Sequence, residues 1–199
     1  MVDFFFIFTP IVYFFAYLIG AFPTGWLLAY KAGISDITHH GSGNIGATNV
    51  GRVLGPLYFI GVLLIDCCKA YLFLWIVGAL SFDTLVIYAS AVLLLIGNGF
   101  SIFLQGKGGK GVATSLGILL AVNPVLILYL CCAWLPVALF THTMGIACVA
   151  GLLTLPYCAW FLMPYDTNFM ILSFFIALWG LWRHETNIRR YCASKKVKI

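Results

Sequence analysis

The chain has 199 residues, of which 63% are hydrophobic and only 9% are charged, and its formal net charge is +5. A soluble domain carries about 25% charged residues to cover its surface, so this composition excludes a soluble globular protein. It offers no basic soluble face, and we expect no nucleic acid partner. The mean hydropathy of +1.05 predicts an all-α integral membrane protein. We expect one polytopic domain over residues 1–199.

Apolar segments follow one another along the whole chain and predict a seven-span helical bundle. They cover residues 4–30, 53–80, 85–104, 112–122, 125–140, 145–163 and 168–182. The fourth and fifth segments are short, and the Asn123-Pro124 break between them also fits a kink in one long helix. The N-terminal stretch has no basic region and no small-residue cleavage site after it, so we interpret it as an uncleaved first span.

The loop charges favour seven spans with the N-terminus outside and the C-terminus in the cytoplasm. This topology places every loop lysine and arginine inside, as the positive-inside rule requires, and leaves three aspartates outside. The inside residues are Lys31, Arg52, Lys107, Lys110, Arg183, Arg189, Arg190, Lys195, Lys196 and Lys198, and the outside ones are Asp3, Asp83 and Asp166. Six spans would place the basic tail outside. Anionic lipid headgroups are expected to contact the inner basic residues.

The cysteine pattern predicts packing residues. The chain has seven cysteines, an odd number with no C-x-x-C pair. Cysteine often behaves as a small apolar residue in such runs. We expect no disulfide, no metal and no cofactor.

The stretch HGSGNIGATNVG, residues 40–51, is an uncharged, glycine-rich loop in this apolar chain. Glycines there allow positive φ and can form a nest of N–H groups for an anion, and a helix that begins at Asn49 would add donors. Arg52 follows with a planar charged fork. The alternative is a plain glycine-rich turn. The residues expected to bind a substrate phosphate here are Gly41, Ser42, Gly43, Asn44, Gly46, Thr48 and Asn49.

The stretch GKGGKG places Lys107 and Lys110 on either side of Gly108 and Gly109. Two lysines around a glycine turn could clasp a polyanion, and we expect all four residues to take part in phosphate binding. The stretch lacks the G-K-[ST] ending of a nucleotide P-loop, because Val112 follows the last glycine. The alternative is a basic inner loop with a tight turn.

Two further pairs have helical spacing. His184 and Asn187 lie three residues apart in RHETNIRR and would share a face if the last helix continues through them. The alternative there is a solvated helix end. Asp66 and Lys69 lie three apart inside the second segment, where ionisable residues are costly. We interpret them as a buried ion pair that braces the bundle, in preference to a chemical role.

These motifs together resemble those of the bacterial membrane glycerol-3-phosphate acyltransferases that use acyl-phosphate as donor. The matching stretches are GSGNIGATNV at 41–50 with Arg52, the D-x-x-K of Asp66 and Lys69, FSIFLQGKGGKGVAT at 100–114 and RHETNI at 183–188. They occur in order over nearly the whole chain.

The resemblance implies transfer of a fatty acyl group from acyl-phosphate to the 1-hydroxyl of glycerol 3-phosphate, giving lysophosphatidate and phosphate. It implies a seven-span fold with the N-terminus outside. It leads us to expect a monomer in the bacterial cytoplasmic membrane, with its site on the cytoplasmic side and membrane lipids around it. A soluble enzyme that supplies acyl-phosphate is a candidate partner.

Catalytic roles are expected for Ser42, Arg52, Lys107, His184 and Asn187. The donor is already an activated anhydride, so no nucleophilic residue is needed, and no G-x-S-x-G elbow is present. His184 is the obvious base in a motif, and a phosphate oxygen of the substrate is the alternative.

The chain departs from the family pattern at four places. It has Ile45 for proline, Asn98 for histidine, Gly106 near the position where an aromatic residue is usual, and Gly145 where a serine is frequent. In that last turn Thr141 or Thr143 could supply a hydroxyl instead.

Two other classes of function fit the sequence less well. A small-anion transporter would suit inner lysines and glycine-broken helices, but no polar groups continue a path to the outer side. A membrane scaffold leaves the glycine nest and the lysines unexplained.

Overall fold

The computed structural model describes the backbone of residues 2–196 and the side chains of residues 7–194. All regular elements in this part of the chain are helical, which confirms the all-α prediction. The α-helices are α1 Val2–Ala21, α2 Thr24–Lys31, α3 Ala47–Leu54, α4 Pro56–Ala79, α5 Thr84–Gly99, α6 Val112–Val122, α7 Val125–Thr141, α8 Met144–Leu162, α9 Thr167–Arg183 and α10 Glu185–Lys196. Short 3₁₀ turns cover Ile37–His39 and Ile102–Leu104. The predicted inner lysine Lys198 and the side chains of Asp3, Lys195 and Lys196 lie outside the described residues.

Within the described residues, four helical stretches are long and apolar enough to cross a membrane, namely Ile7–Lys31, Pro56–Ala79, Thr84–Leu104 and Met144–Leu162. Three shorter apolar helices, α6, α7 and α9, accompany them. Each of the seven predicted apolar segments coincides with one of these stretches. Between α6 and α7 the Asn123 side chain accepts a hydrogen bond from the Val125 amide at 3.0 Å, which begins a new helix.

Two of the predicted segments contain breaks that have simple causes. The first segment is interrupted after α1, because Pro23 has no N–H to continue the helical hydrogen bonds. The second begins inside α3, which ends at Leu54; Gly55, with a φ of 101°, lies between α3 and Pro56, the first residue of α4. Glycine tolerates this φ, and proline is favoured in the first turn of a helix.

The chain forms two compact units, residues 1–122 and 123–199. In the first unit α1 packs along α5, and α4 contacts α3 and α6. Glycines allow the α1–α5 approach: a Cβ at Gly20 would overlap the Leu94 carbonyl, and one at Gly97 would overlap the Tyr17 carbonyl. In the second unit α8 packs against both α7 and α9, and α10 contacts α8 and α9.

Candidate active site

An apolar cluster lies beneath the glycine-rich loop of residues 40–51. Ile37, Ile45 and Val50 are buried with Ala29 of α2 and Val62 of α4. Ile45 is only 5% exposed, so this departure from the family pattern supplies an apolar anchor for the loop. The backbone of the loop is therefore held against α2 and α4 by these buried side chains.

Asn49 organises the loop above this anchor. It is 2% exposed. Its Oδ1 accepts from the Ser42 amide at 2.7 Å, and its Nδ2 donates to the carbonyls of His40 and Asn44 at 2.9 Å each. These bonds clamp a turn in which Gly41 and Gly43 have φ values of 60° and 75°. The side chain that sequence reasoning assigned to a phosphate is thus committed to the loop itself.

The predicted nest of amides is also partly used within the loop. The Gly43 amide donates to the His40 carbonyl at 3.0 Å, and the Gly46 amide donates to Asn44 Oδ1 at 2.7 Å. Helix α3 begins at Ala47, ahead of Asn49, so the donors of its first turn come from Ala47 and Thr48.

Besides His40 at the start of the loop, three polar side chains of residues 40–52 are exposed. They belong to Ser42, Thr48 and Arg52. Arg52 Nη1 lies 3.4 Å from Asn49 Oδ1, and this contact holds the guanidinium beside the glycine-rich loop. The loop therefore presents two hydroxyls, one guanidinium and the first turn of α3, a donor set suited to a phosphate.

In the second loop, Gly108 and Gly109 close the end of α5. The Gly109 amide donates to the Asn98 carbonyl at 2.8 Å, and a Cβ at Gly108 would overlap the carbonyls of Asn98 and Gly99. The two glycines are thus packed against the helix end. Lys107 is exposed and Lys110 is half-buried, so Lys107 is the more accessible cation of the predicted clasp.

The structure brings these two loops together within the first unit. Leu104, in the 3₁₀ turn before Lys107, packs against the apolar cluster under the first loop. The hydrogen bond from the Thr38 amide holds the pKa of Asp36 below its ordinary value, and the charges of His39 and Lys107 lower it further. The Lys107 charge therefore acts on the segment that leads into the first loop.

Asp66 and Lys69 form an ion pair, with 2.8 Å between Nζ and Oδ1. The Thr24 hydroxyl donates to the same carboxylate oxygen at 2.7 Å. Lys69 also donates to the carbonyls of Gly20 at 3.2 Å and Phe22 at 2.9 Å. These carbonyls lie at the break between α1 and α2, where helical donors are missing. These contacts indicate that the Asp66–Lys69 pair stabilises the break between α1 and α2.

In the second unit, His184 lies at the junction of α9 and α10 and is 2% exposed. Its Nδ1 is 2.8 Å from the Gly180 carbonyl. A carbonyl only accepts, so Nδ1 carries the proton and Nε2 is the acceptor of the neutral ring. The expected continuous helix is interrupted at His184, which lies between α9 and α10, and the Gly180 carbonyl accepts from both the ring and the backbone N–H of His184.

Asn187 lies in α10 against the first turn of α8. A Cβ at Gly145 would overlap the Asn187 amide and come within 2.6 Å of its Cγ. The hydroxyls proposed as substitutes for the missing serine bond locally: Thr141 donates to Val137 at 2.6 Å and Thr143 to Thr141 at 3.0 Å. The space at Gly145 is therefore taken by an amide from another helix.

Other basic residues of the RHETNIRR stretch have structural partners. The Arg183 guanidinium lies 5.5 Å from the Trp182 ring centroid and 6.0 Å from that of Trp179. Arg189 pairs with Glu185 through its Nε at 2.8 Å. These contacts favour a structural role for both arginines.

Helices of this length and hydropathy, with polar loops rich in phosphate-type donors, define a multi-pass membrane protein that acts on a phosphate ester. The chain belongs to the glycerol-3-phosphate acyltransferase family, whose sequence model matches residues 10–194. The predicted family resemblance is confirmed.

Relatives and solved structures agree over most of the chain. A glycerol-3-phosphate acyltransferase of Fusobacterium nucleatum is 38% identical over 186 residues, which cover 92% of this chain and 94% of the relative. Crystal structures of PlsY (YgiH), an integral membrane glycerol 3-phosphate acyltransferase, are similar in its glycerol 3-phosphate form (TM-score 0.87, 31% identity) and its lysophosphatidic acid form (TM-score 0.84, 30% identity). Each match covers 94% of this chain and 92% of the solved one.

Proposed function

We propose that this protein transfers a fatty acyl group from acyl-phosphate to the 1-hydroxyl of glycerol 3-phosphate, giving lysophosphatidate and phosphate for phospholipid synthesis. The observation that carries the proposal is the family match over residues 10–194. The solved PlsY structures are a glycerol 3-phosphate form and a lysophosphatidic acid form, and these two compounds are the acceptor and the product of the proposed reaction.

The reaction is a direct acyl transfer. The acceptor hydroxyl oxygen attacks the carbonyl carbon of acyl-phosphate, the new ester bond forms, and the bond from that carbon to the phosphate oxygen breaks. Phosphate leaves with the electron pair, and the hydroxyl proton goes to a base. The anhydride is already activated, so no covalent intermediate with the protein is required.

Two phosphate groups repel each other in this reaction, and cations and directed N–H groups offset that repulsion. We assign the hydroxyls of Ser42 and Thr48, the amide of Asn44 and the first turn of α3 to one phosphate, that of the donor. Arg52 and Lys107 are assigned to the acceptor and leaving group because both side chains are exposed and charged.

His184 and Asn187 of the second unit are also assigned to the acceptor and leaving group. Nε2 of His184 is the acceptor of the neutral ring and suits a general base. A phosphate oxygen of the substrate is the alternative proton acceptor. We assign a structural role, shaping the turn beside Lys107, to Gly108, Gly109 and Lys110. The two glycines pack against the end of α5.

We further propose seven spans, with the N-terminus outside and the polar loops on the cytoplasmic side of the bacterial inner membrane. The loop charge asymmetry supports this orientation. Cys192 is exposed in α10 and offers a natural reporter. A membrane-impermeant maleimide should label Cys192 in inside-out vesicles and leave it unlabelled in right-side-out ones, with Cys192→Ser as control. Labelling in the opposite orientation would overturn the topology.

The proposed working unit is a monomer among membrane lipids, which receives acyl-phosphate from a soluble enzyme. Light scattering of the purified protein in detergent would test the first point. A mass of two protein copies would contradict it.

Purified protein mixed with glycerol 3-phosphate and acyl-phosphate tests the reaction. We expect lysophosphatidate with acyl-phosphate and none with acyl-coenzyme A as sole donor. Uptake of glycerol 3-phosphate into sealed vesicles without acyl transfer would support a transporter instead and overturn the proposal.

A further inference from the structure

Ser101 is a buried residue that sequence reasoning did not select, although it lies inside the second motif. It lies two residues after the end of α5 and is 1% exposed. Its hydroxyl donates to the Ala21 carbonyl at 2.5 Å, across 80 positions of the chain. A buried hydroxyl with one such bond ties the start of the second loop to the end of α1.

The backbone of Ser101 also closes the turn that ends at Lys107. Its carbonyl accepts from the amides of Leu104 at 3.1 Å and Gly106 at 2.8 Å. Its amide is 3.3 Å from the Lys107 carbonyl, to which it donates. The backbone of Ser101, the first residue of the turn, therefore holds the turn closed as far as Lys107, its last residue.

The acceptor of the hydroxyl is itself fixed. Ala21 is the last residue of α1, and Lys69 binds the carbonyls on either side of it, at Gly20 and Phe22. Lys69 in turn is paired with Asp66. Ser101 therefore connects the turn to a stretch of backbone that Lys69 holds on both sides. Tyr17 adds a bond to the Phe100 carbonyl at 2.9 Å, outside the turn.

We propose that Ser101 is a positioning residue for acyl transfer, which holds the exposed Lys107 ammonium in place through the Ala21 carbonyl and the turn of residues 101–107. The inference rests on the proposed function, because it needs Lys107 to contact a substrate phosphate. Removal of the hydroxyl leaves the Ala21 carbonyl without its side-chain donor and frees the start of the turn. The flexible lysine then spends less time at the phosphate.

The kinetic test compares Ser101→Ala with a matched control, Ser90→Ala. Ser90 is also fully buried and donates to a carbonyl, that of Val86, at 2.7 Å in the same helix that precedes Ser101. We expect kcat/KM for glycerol 3-phosphate to fall about tenfold in Ser101→Ala, because small displacements of a binding group are costly, while Ser90→Ala stays within about twofold of wild type. Ser101→Thr, which keeps the hydroxyl, should recover most of the loss.

A double variant shows whether the effect passes through Lys107. In the Lys107→Ala background, Ser101→Ala should lower the residual kcat/KM by less than about twofold, since its target is gone. A tenfold further loss there would overturn the inference, because Ser101 would act by another route.

Hydrogen exchange gives a readout that does not depend on activity. The amides of residues 104–107 should exchange faster in Ser101→Ala than in Ser90→Ala. Equal exchange in the two variants overturns the anchoring role, and faster exchange with wild-type kinetics overturns the role in the reaction. Both results leave an active wild type and the proposed function intact, whereas a wild type that makes no lysophosphatidate overturns the function and the inference together.

Discussion

Asn187 occupies the space that any side chain at Gly145 would need. A Cβ at Gly145 would lie 2.6 Å from Asn187 Cγ and 2.9 Å from its Cβ, closer than atoms of different residues pack. The two residues come from the first turn of α8 and from α10, so the amide is positioned by a glycine 42 residues earlier in the chain. The missing serine at this place is therefore coupled to one of the residues assigned to the acceptor.

Gly145→Ser should displace Asn187 and impair acyl transfer, although the change restores the residue that is frequent in the family. The hydroxymethyl group forces the amide to rotate away, and misplacing a binding group by about 1 Å can cost about 10²-fold in rate. We expect kcat/KM for glycerol 3-phosphate to fall by about that factor in a lysophosphatidate assay.

Gly151→Ala is the matched control in the same helix. A Cβ there meets the Leu130 carbonyl and Trp134 Cβ at 3.5 Å, an ordinary contact. The acyl-transfer activity of Gly151→Ala should equal that of wild type. Higher activity in Gly145→Ser would contradict the displacement and show that the site lacks a hydroxyl.

Asn49→Ala should unfold the glycine-rich loop. The change removes the acceptor of the Ser42 amide and the donors to His40 and Asn44, and unsatisfied buried groups cost about 1–3 kcal/mol each. We expect a loss of about 3 kcal/mol in the free energy of unfolding, given partial rehydration of the loop. Thermal unfolding in detergent measures it.

Ser42→Ala separates loop stability from ligand contact. The Ser42 side chain is exposed, so its removal should change stability by less than about 0.5 kcal/mol while activity falls. If Asn49→Ala instead kept wild-type stability and lost activity, Asn49 would contact the ligand directly and its role as a clamp would be wrong.

Lys69→Met should destabilise the first unit strongly. It leaves the Asp66 carboxylate buried without its cation and removes the side-chain donor to the carbonyls of Gly20 and Phe22. Breaking a buried pair in this way costs about 3–5 kcal/mol. The double variant Asp66→Asn/Lys69→Met removes both charges and should lose less stability than Lys69→Met alone. Loss of turnover in a fully folded Lys69→Met protein would indicate a chemical role instead.

Hydropathy was sufficient to predict where the apolar helices lie, because burial in lipid depends mainly on composition along the segment. The i, i+3 spacing of Asp66 and Lys69 likewise suggested their contact, since helix geometry places such residues on one face. Breaks at Pro23 and Gly55 were less visible, because both residues occur inside otherwise apolar runs.

The candidate site was only partly predictable. The sequence pattern identified polar residues that can bind a phosphate. It did not distinguish Asn49, which binds the loop backbone, from Ser42, which is exposed. That difference depends on the turn geometry around two glycines of positive φ. The packing of Gly108 against the end of α5 and the contact of Gly145 with Asn187 join distant parts of the chain, and local spacing carries no signal for either.

His184→Ala tests the identity of the base. The ring is buried and held by the Gly180 carbonyl, so Nε2 has a fixed direction, as a general base requires. We expect kcat to fall by about 10²- to 10⁴-fold and the rise of kcat with pH to disappear. Thr154→Ala, which removes a hydroxyl that donates to the Gly151 carbonyl of its own helix, should leave both unchanged. If His184→Ala retains the pH dependence of wild type at reduced turnover, the proton goes to a substrate phosphate and His184 acts in binding; unchanged turnover would exclude both roles.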